Sequence, residues 1–207
     1  MQSNSRYRTG STRRLALQSA GVGIVAGFFL ACSEVLLAPV HGATSLWPVK
    51  LAASIALGKG ALTGAYSPGT IVVVGAMVHF ALAASYGAIY GVIMRYRARE
   101  PRTNFAREAG LGMLYGLMIW AFDFYVVGAA LFPWFLEASP LEQALLHAAG
   151  YGLPLGVLCR AATQRLGAPS LRMYSTVRRA QARVSARSGP GRRATGRAAL
   201  GSRRTSG

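Results

Sequence analysis

Four stretches of this chain stay apolar for longer than a soluble core would need: residues 15–38, 70–94, 109–132 and 141–158. About 20 mostly apolar residues cross about 30 Å of hydrocarbon as a helix. A barrel strand would instead alternate polar and apolar residues over about 10 positions, and none of the four does. The pattern predicts an all-α polytopic membrane protein with four transmembrane helices. Composition agrees, since 52% of residues are hydrophobic and 14% charged, against about 25% charged in a soluble domain. A soluble core and a whole-chain nucleic-acid-binding domain are both excluded.

The charges are segregated as sharply as the apolar residues. There are 23 Lys+Arg against 6 Asp+Glu, a formal net charge of +17. Arg6, Arg8, Arg13 and Arg14 precede the first stretch, and Arg95, Arg97, Arg99, Arg102 and Arg107 cluster between the second and third. From Arg160 onward there are further arginines and no acid, while the two remaining connections hold only Lys50 and Lys59. The positive-inside rule then places both termini and the middle loop in the cytoplasm, in a multi-pass protein of the cell inner membrane. Three regions follow: a basic N-terminus over 1–14, a four-span domain over 15–160 and an arginine-rich tail over 161–207. The tail mixes Arg with Ser, Gly, Ala and Pro, so it is expected to be disordered. Its expected partner is the lipid bilayer, through anionic headgroups, at about 1 kcal/mol per basic residue near the surface. No specific nucleic-acid role is expected, because Tyr174 is the only aromatic residue there for stacking.

Residues 44–62 are apolar but too short to cross. Pro48 suits a first helical turn, Thr44 or Ser45 suits the cap before it, and Trp47, Leu51 and Ile55 recur every four residues. This predicts an interfacial or re-entrant helix on the outer side, with Trp47 and Trp134 as anchors at headgroup level. Phe29-Leu30-Ala31-Cys32 imitates a lipoprotein cleavage site, but Leu30 is bulky and the apolar run continues through Leu37, so the first span is expected to be retained. Cys32 and Cys159 fall near opposite ends of their spans and are not expected to form a disulfide.

Ionisable residues inside a span each cost at least about 2.5 kcal/mol at the centre unless partnered. Glu34, His79, Asp123 and His147 are the candidates, one per span, and all fall in the outer half. Small residues share their helix faces: Gly23 and Gly27 before Glu34, Gly75 before His79, Gly112 and Gly116 before Asp123, with Gly87 and Gly91 farther along the second span. Such stripes mark close helix packing. Two carboxylates and two imidazoles in one layer suit zinc or a proton relay, or simply pair with His or Tyr to fix the packing. No span carries two metal ligands four residues apart, so no metal is assigned, and His79 and His147 are the weak candidates. A loose repeat also shows, with Glu34, Trp47-Pro48, His79 and Tyr86-Gly87 answered by Asp123, Pro133-Trp134, His147 and Tyr151-Gly152. The glycine-rich stretch 110–116 lies inside a span and is no nucleotide loop, and no cysteine pair has metal spacing, so neither a cofactor nor an enzyme is expected.

Ser33-Glu34-Val35-Leu36-Leu37 with Pro39, Trp47-Pro48 with Ala52-Ala53 and Leu57-Gly58, His79 with Tyr86-Gly87, Phe124-Tyr125, Phe132-Pro133-Trp134-Phe135 and His147 form a set spanning about 33–156. In this set the chain resembles a family of small uncharacterised bacterial inner-membrane proteins, some labelled "sodium:proline symporter" by inheritance. That family carries Asn before Phe-Tyr where this chain has Asp123, and the arginine tail extends beyond its pattern. The symporter label does not follow, because such symporters are several times larger and unwind helices in matching positions around a midplane sodium site. The expectation is therefore a non-enzymatic membrane protein that works by helical packing with itself, as a homo-oligomer, or with another membrane subunit. The rival is a small proton- or metal-ion-coupled transporter or channel built on the four ionisable residues.

Overall fold

The computed structural model describes residues 3–95 and 104–162. The chain divides into two units, 1–164 and 165–207, and only the first is described. The tail and most of the arginines of the middle loop, with what was expected of them, lie outside the described residues. Among the described residues every regular element is helical.

Helix α1 (Ser3–Leu37) runs without a break until Pro39, where a 3-10 turn over Ala38–His41 ends it. Gly42, at φ +78°, donates its N–H back to the carbonyls of Ala38 and Pro39, a left-handed stop that suits glycine. Helix α2 (Trp47–Leu57) has Pro48 in its first turn, as expected, but its cap is Leu46 rather than Thr44 or Ser45. The main chain closes that turn: Trp47 N–H donates to Thr44 O at 2.8 Å, so no hydroxyl is needed. Helix α3 (Pro68–Arg95) begins with Ser67, whose Oγ accepts from Thr70 N at 3.2 Å, followed by proline at the first helical position. Helix α4 (Phe105–Phe122) is capped by Asn104, whose Oδ1 accepts from Ala106 N at 3.1 Å.

Beyond Phe122 the rod continues through a π-helical turn, Asp123–Gly128, into the short α5 (Ala129–Leu131). A 3-10 turn over Pro133–Glu137 leads to α6 (Pro140–Leu145), a second π-helical turn at Leu146–Gly152, and α7 over 153–162. Pro154 accounts for the second π turn. It has no N–H to offer the carbonyl four residues back and its ring crowds that carbonyl, so the turn before it widens.

Three helical stretches, Thr12–His41, Pro68–Met94 and Phe105–Leu131, are long and apolar enough to cross a membrane. The second and third spans begin at Pro68 and Phe105, a few residues before the expected 70 and 109, because the caps at Ser67 and Asn104 set those starts. The helices pair as two hairpins. In the first, α1 crosses α3 with Gly23 against Gly87, and a Cβ on Gly23 would stand 2.8 Å from the Gly87 Cα. In the second, α4 crosses the last rod with Gly112 against Gly156, where a Cβ on Gly112 would stand 2.9 Å from the Gly156 Cα. Ala26 and Leu30, Ala83 and Tyr90, Ile119, and Leu146, Tyr151, Leu155 and Cys159 meet in one core drawn from both hairpins. No disulfide joins Cys32 to Cys159.

Candidate functional site

Where the hairpins part, at the end carrying Glu34, they enclose a cavity of about 220 Å³. Helical spacing decides what reaches it. Leu30 and Glu34 lie one turn apart on α1; His79, Leu82, Ala83 and Tyr86 form a single face of α3; Asp123, Val127 and Gly128 come from the first π turn; and Gln143, His147 and Tyr151 come from the last rod. Helix α2 covers it with Trp47, Leu51 and Ile55, the same four-residue series seen in the sequence, and Phe132 and Phe135 complete the wall. The structure thus brings all four ionisable residues to one cavity.

Their partners differ. His79 Nε2 lies 2.8 Å from Gly27 O, and His147 Nδ1 lies 2.8 Å from Gln143 O. Because a carbonyl only accepts, each imidazole donates through that nitrogen, and its neutral form leaves the other nitrogen as an acceptor. Gly27 makes the first contact feasible, since a Cβ there would lie 2.6 Å from Ala83 Cβ and 3.5 Å from His79 Nε2. Tyr86 donates its hydroxyl to Asp123 Oδ1, joining the hairpins across the cavity. Tyr115 OH donates to Tyr86 O at 2.9 Å and Tyr151 OH to Ala83 O at 2.7 Å, so two tyrosines of the second hairpin fasten onto the α3 backbone. Among the described residues nothing donates a hydrogen bond to Glu34. Outside the cavity, His41 Nε2 and Glu142 Oε1 stand 3.6 Å apart.

Among the described residues no three of His, Cys, Asp and Glu are grouped so that they could hold a metal ion. His79 and His147 line the same cavity as Glu34 and Asp123, but these four side chains are not gathered into such a group.

The glycines Gly23, Gly27, Gly87, Gly91, Gly112 and Gly116 all meet partners within the chain, and Gly75 admits α2, its missing Cβ being 2.8 Å from Val49 Cγ1. Both expected anchors also have protein neighbours, while remaining partly exposed. Trp47 lines the cavity, and Trp134 Nε1 donates to Ser54 Oγ at 2.8 Å, tying the 3-10 turn to α2. An indole reads the same in sequence whether its polar edge meets a headgroup or a buried hydroxyl. Sequence reasoning passed over Tyr86, Tyr115 and Tyr151 as hydrogen-bonding hubs. The signal for Tyr86 was present, since it follows His79 by seven residues and so shares its face.

The chain matches no family model, no curated protein and no solved structure, so its resemblance to the small inner-membrane family rests on the motifs alone.

Proposed function

We propose that this chain is a non-enzymatic protein of the cell inner membrane, with four spans and both termini cytoplasmic, whose cavity binds a small molecule from the outer side. The observation that carries this reading is the convergence of Glu34, His79, Asp123 and His147 on one cavity covered by α2. Ionisable groups are costly in a membrane and are retained where they do something.

The fourth span is the rod over 140–162, about 34 Å long at 1.5 Å per residue. Its charged residues, Glu142 and Arg160, lie near its two ends. With it, the basic N-terminus, middle loop and tail fall on one side, where the tail would hold anionic headgroups. Helix α2 then lies at the outer interface as a cover rather than a re-entrant segment. Toward the cytoplasm the glycine contacts bring backbone against backbone, and Tyr90 and Leu155 are fully buried. That closure favours a binding site over an open pore, and a transporter would have to part these contacts. The same contacts occupy the glycine stripes within the chain, so packing against another subunit would have to use other faces.

The test is labelling of a Val127→Cys variant, with Cys32 and Cys159 replaced by Ala, in oriented vesicles. A membrane-impermeant maleimide should react from the outer side only. Labelling from the cytoplasmic side, or from neither side, would overturn the reading.

A further inference from the structure

We infer that the cavity selects a small organic cation, an ammonium group on an apolar body, with Glu34 as its counter-ion; this rests on the binding reading above. None of the residues lining the cavity is Lys or Arg, and both imidazoles already donate to main-chain carbonyls. An anion would therefore find no fixed positive partner. A cation finds two carboxylates, and they are not equivalent. Asp123 accepts from Tyr86, whereas among the described residues nothing donates to Glu34. An unpaired carboxylate in a low-dielectric site is costly, and a bound ammonium supplies the missing donor and charge.

The walls suit the rest of such a molecule. Trp47, Tyr86, Phe124, Phe132, Phe135 and Tyr151 all line the cavity, and aromatic faces attract a desolvated cation. A bare metal ion is disfavoured because no three ligating groups come together among the described residues. Size sets the limit: a cavity of about 150 Å³ admits benzene, so one of about 220 Å³ has room for a ring and a short chain.

The experiment is calorimetric titration of the full-length protein in nanodiscs with phenethylammonium, 2-phenylethanol and 3-phenylpropionate, compounds alike in shape and different in charge. Phenethylammonium should bind about tenfold or more tighter than the alcohol, and the carboxylate weakest of the three. Glu34→Gln should bring the ammonium and the alcohol to within about twofold by weakening the ammonium alone. Equal affinity for ammonium and alcohol, or tighter binding of the carboxylate, overturns the cation assignment, and a preference that survives Glu34→Gln overturns Glu34 as the counter-ion. Alcohol binding abolished by the cavity-filling Ala52→Phe would in those cases still uphold the binding reading. If no compound binds, the cation assignment falls, and the labelling of Val127→Cys decides the binding reading separately. The wild-type preference needs no variant, so it decides the matter even where a substitution prevents folding.

Discussion

Tyr86 of the first hairpin donates its hydroxyl to the Asp123 carboxylate of the second, and the same residue's carbonyl accepts from Tyr115 at 2.9 Å. One residue of α3 thus holds α4 by its backbone and the π turn that follows α4 by its side chain. Tyr86→Phe is expected to destabilise the protein by about 1 kcal/mol, within the range of about 0.6–2 kcal/mol seen for hydrogen bonds between membrane helices. In a double-mutant cycle with Asp123→Leu in denaturant titrations, the coupling should be of that order. Additive effects would show that the pair does not join the hairpins.

Two glycines two residues apart on α4 should respond in opposite senses. A Cβ on Gly112 would run into the backbone of Gly152 and Gly156, whereas one on Gly110 meets nothing within 4 Å. Gly112→Val should therefore separate the second hairpin and abolish folding or nearly so, read as loss of a monodisperse species. Gly110→Ala should stabilise by roughly 0.5–1 kcal/mol through reduced backbone entropy of the unfolded chain, raising the apparent Tm.

Trp134→Phe removes the bond to Ser54 and leaves the Ser54 hydroxyl, itself donating to Leu51 O at 2.6 Å, without its indole partner. The expected loss is about 1 kcal/mol. Because the bond ties α2 to the 133–137 turn, labelling of Val127→Cys should also become faster in this variant. An unchanged rate would mean that this tie does not control access to the cavity.

Zinc binding is expected to be weak and sub-stoichiometric in the detergent-purified protein, since among the described residues His79 and His147 are not gathered with a third ligand. Changing both to Ala should leave metal content where it was. Stoichiometric zinc lost in that variant would show a site that the described residues do not account for.

The ionisable layer was legible in the sequence because Glu34, His79, Asp123 and His147 each interrupt an apolar run, and in a membrane the cost of the interruption makes it conspicuous. The glycine stripes were legible for a similar reason, but not their partners: spacing identifies a face and says nothing of whether it meets the same chain or another. The cap of α2 was misread because a main-chain carbonyl at Thr44 closes the turn that a hydroxyl was expected to close. The π turns escaped altogether. One extra residue in a helical turn barely alters a hydropathy pattern, and only Pro154 hinted at the second. Both turns fall in the second hairpin rather than in matching positions of the two, so the loose repeat ends where the backbone widens.

Those widened turns amount to a change of heading within a continuous rod. An extra residue turns everything beyond it by about 100° relative to an unbroken α-helix. The face of α4 that carries Gly112 and Gly116 is therefore out of phase with the face that carries Val127 and Gly128, and each length of rod can answer to a different neighbour. Excising a single residue between Asp123 and Gly128 would put the two lengths back in phase, swinging Phe132, Trp134 and Phe135 away from α2. Tight at one end and hollow at the other, the bundle has a mis-wound turn in each rod of its second hairpin, and both turns contribute walls to the hollow.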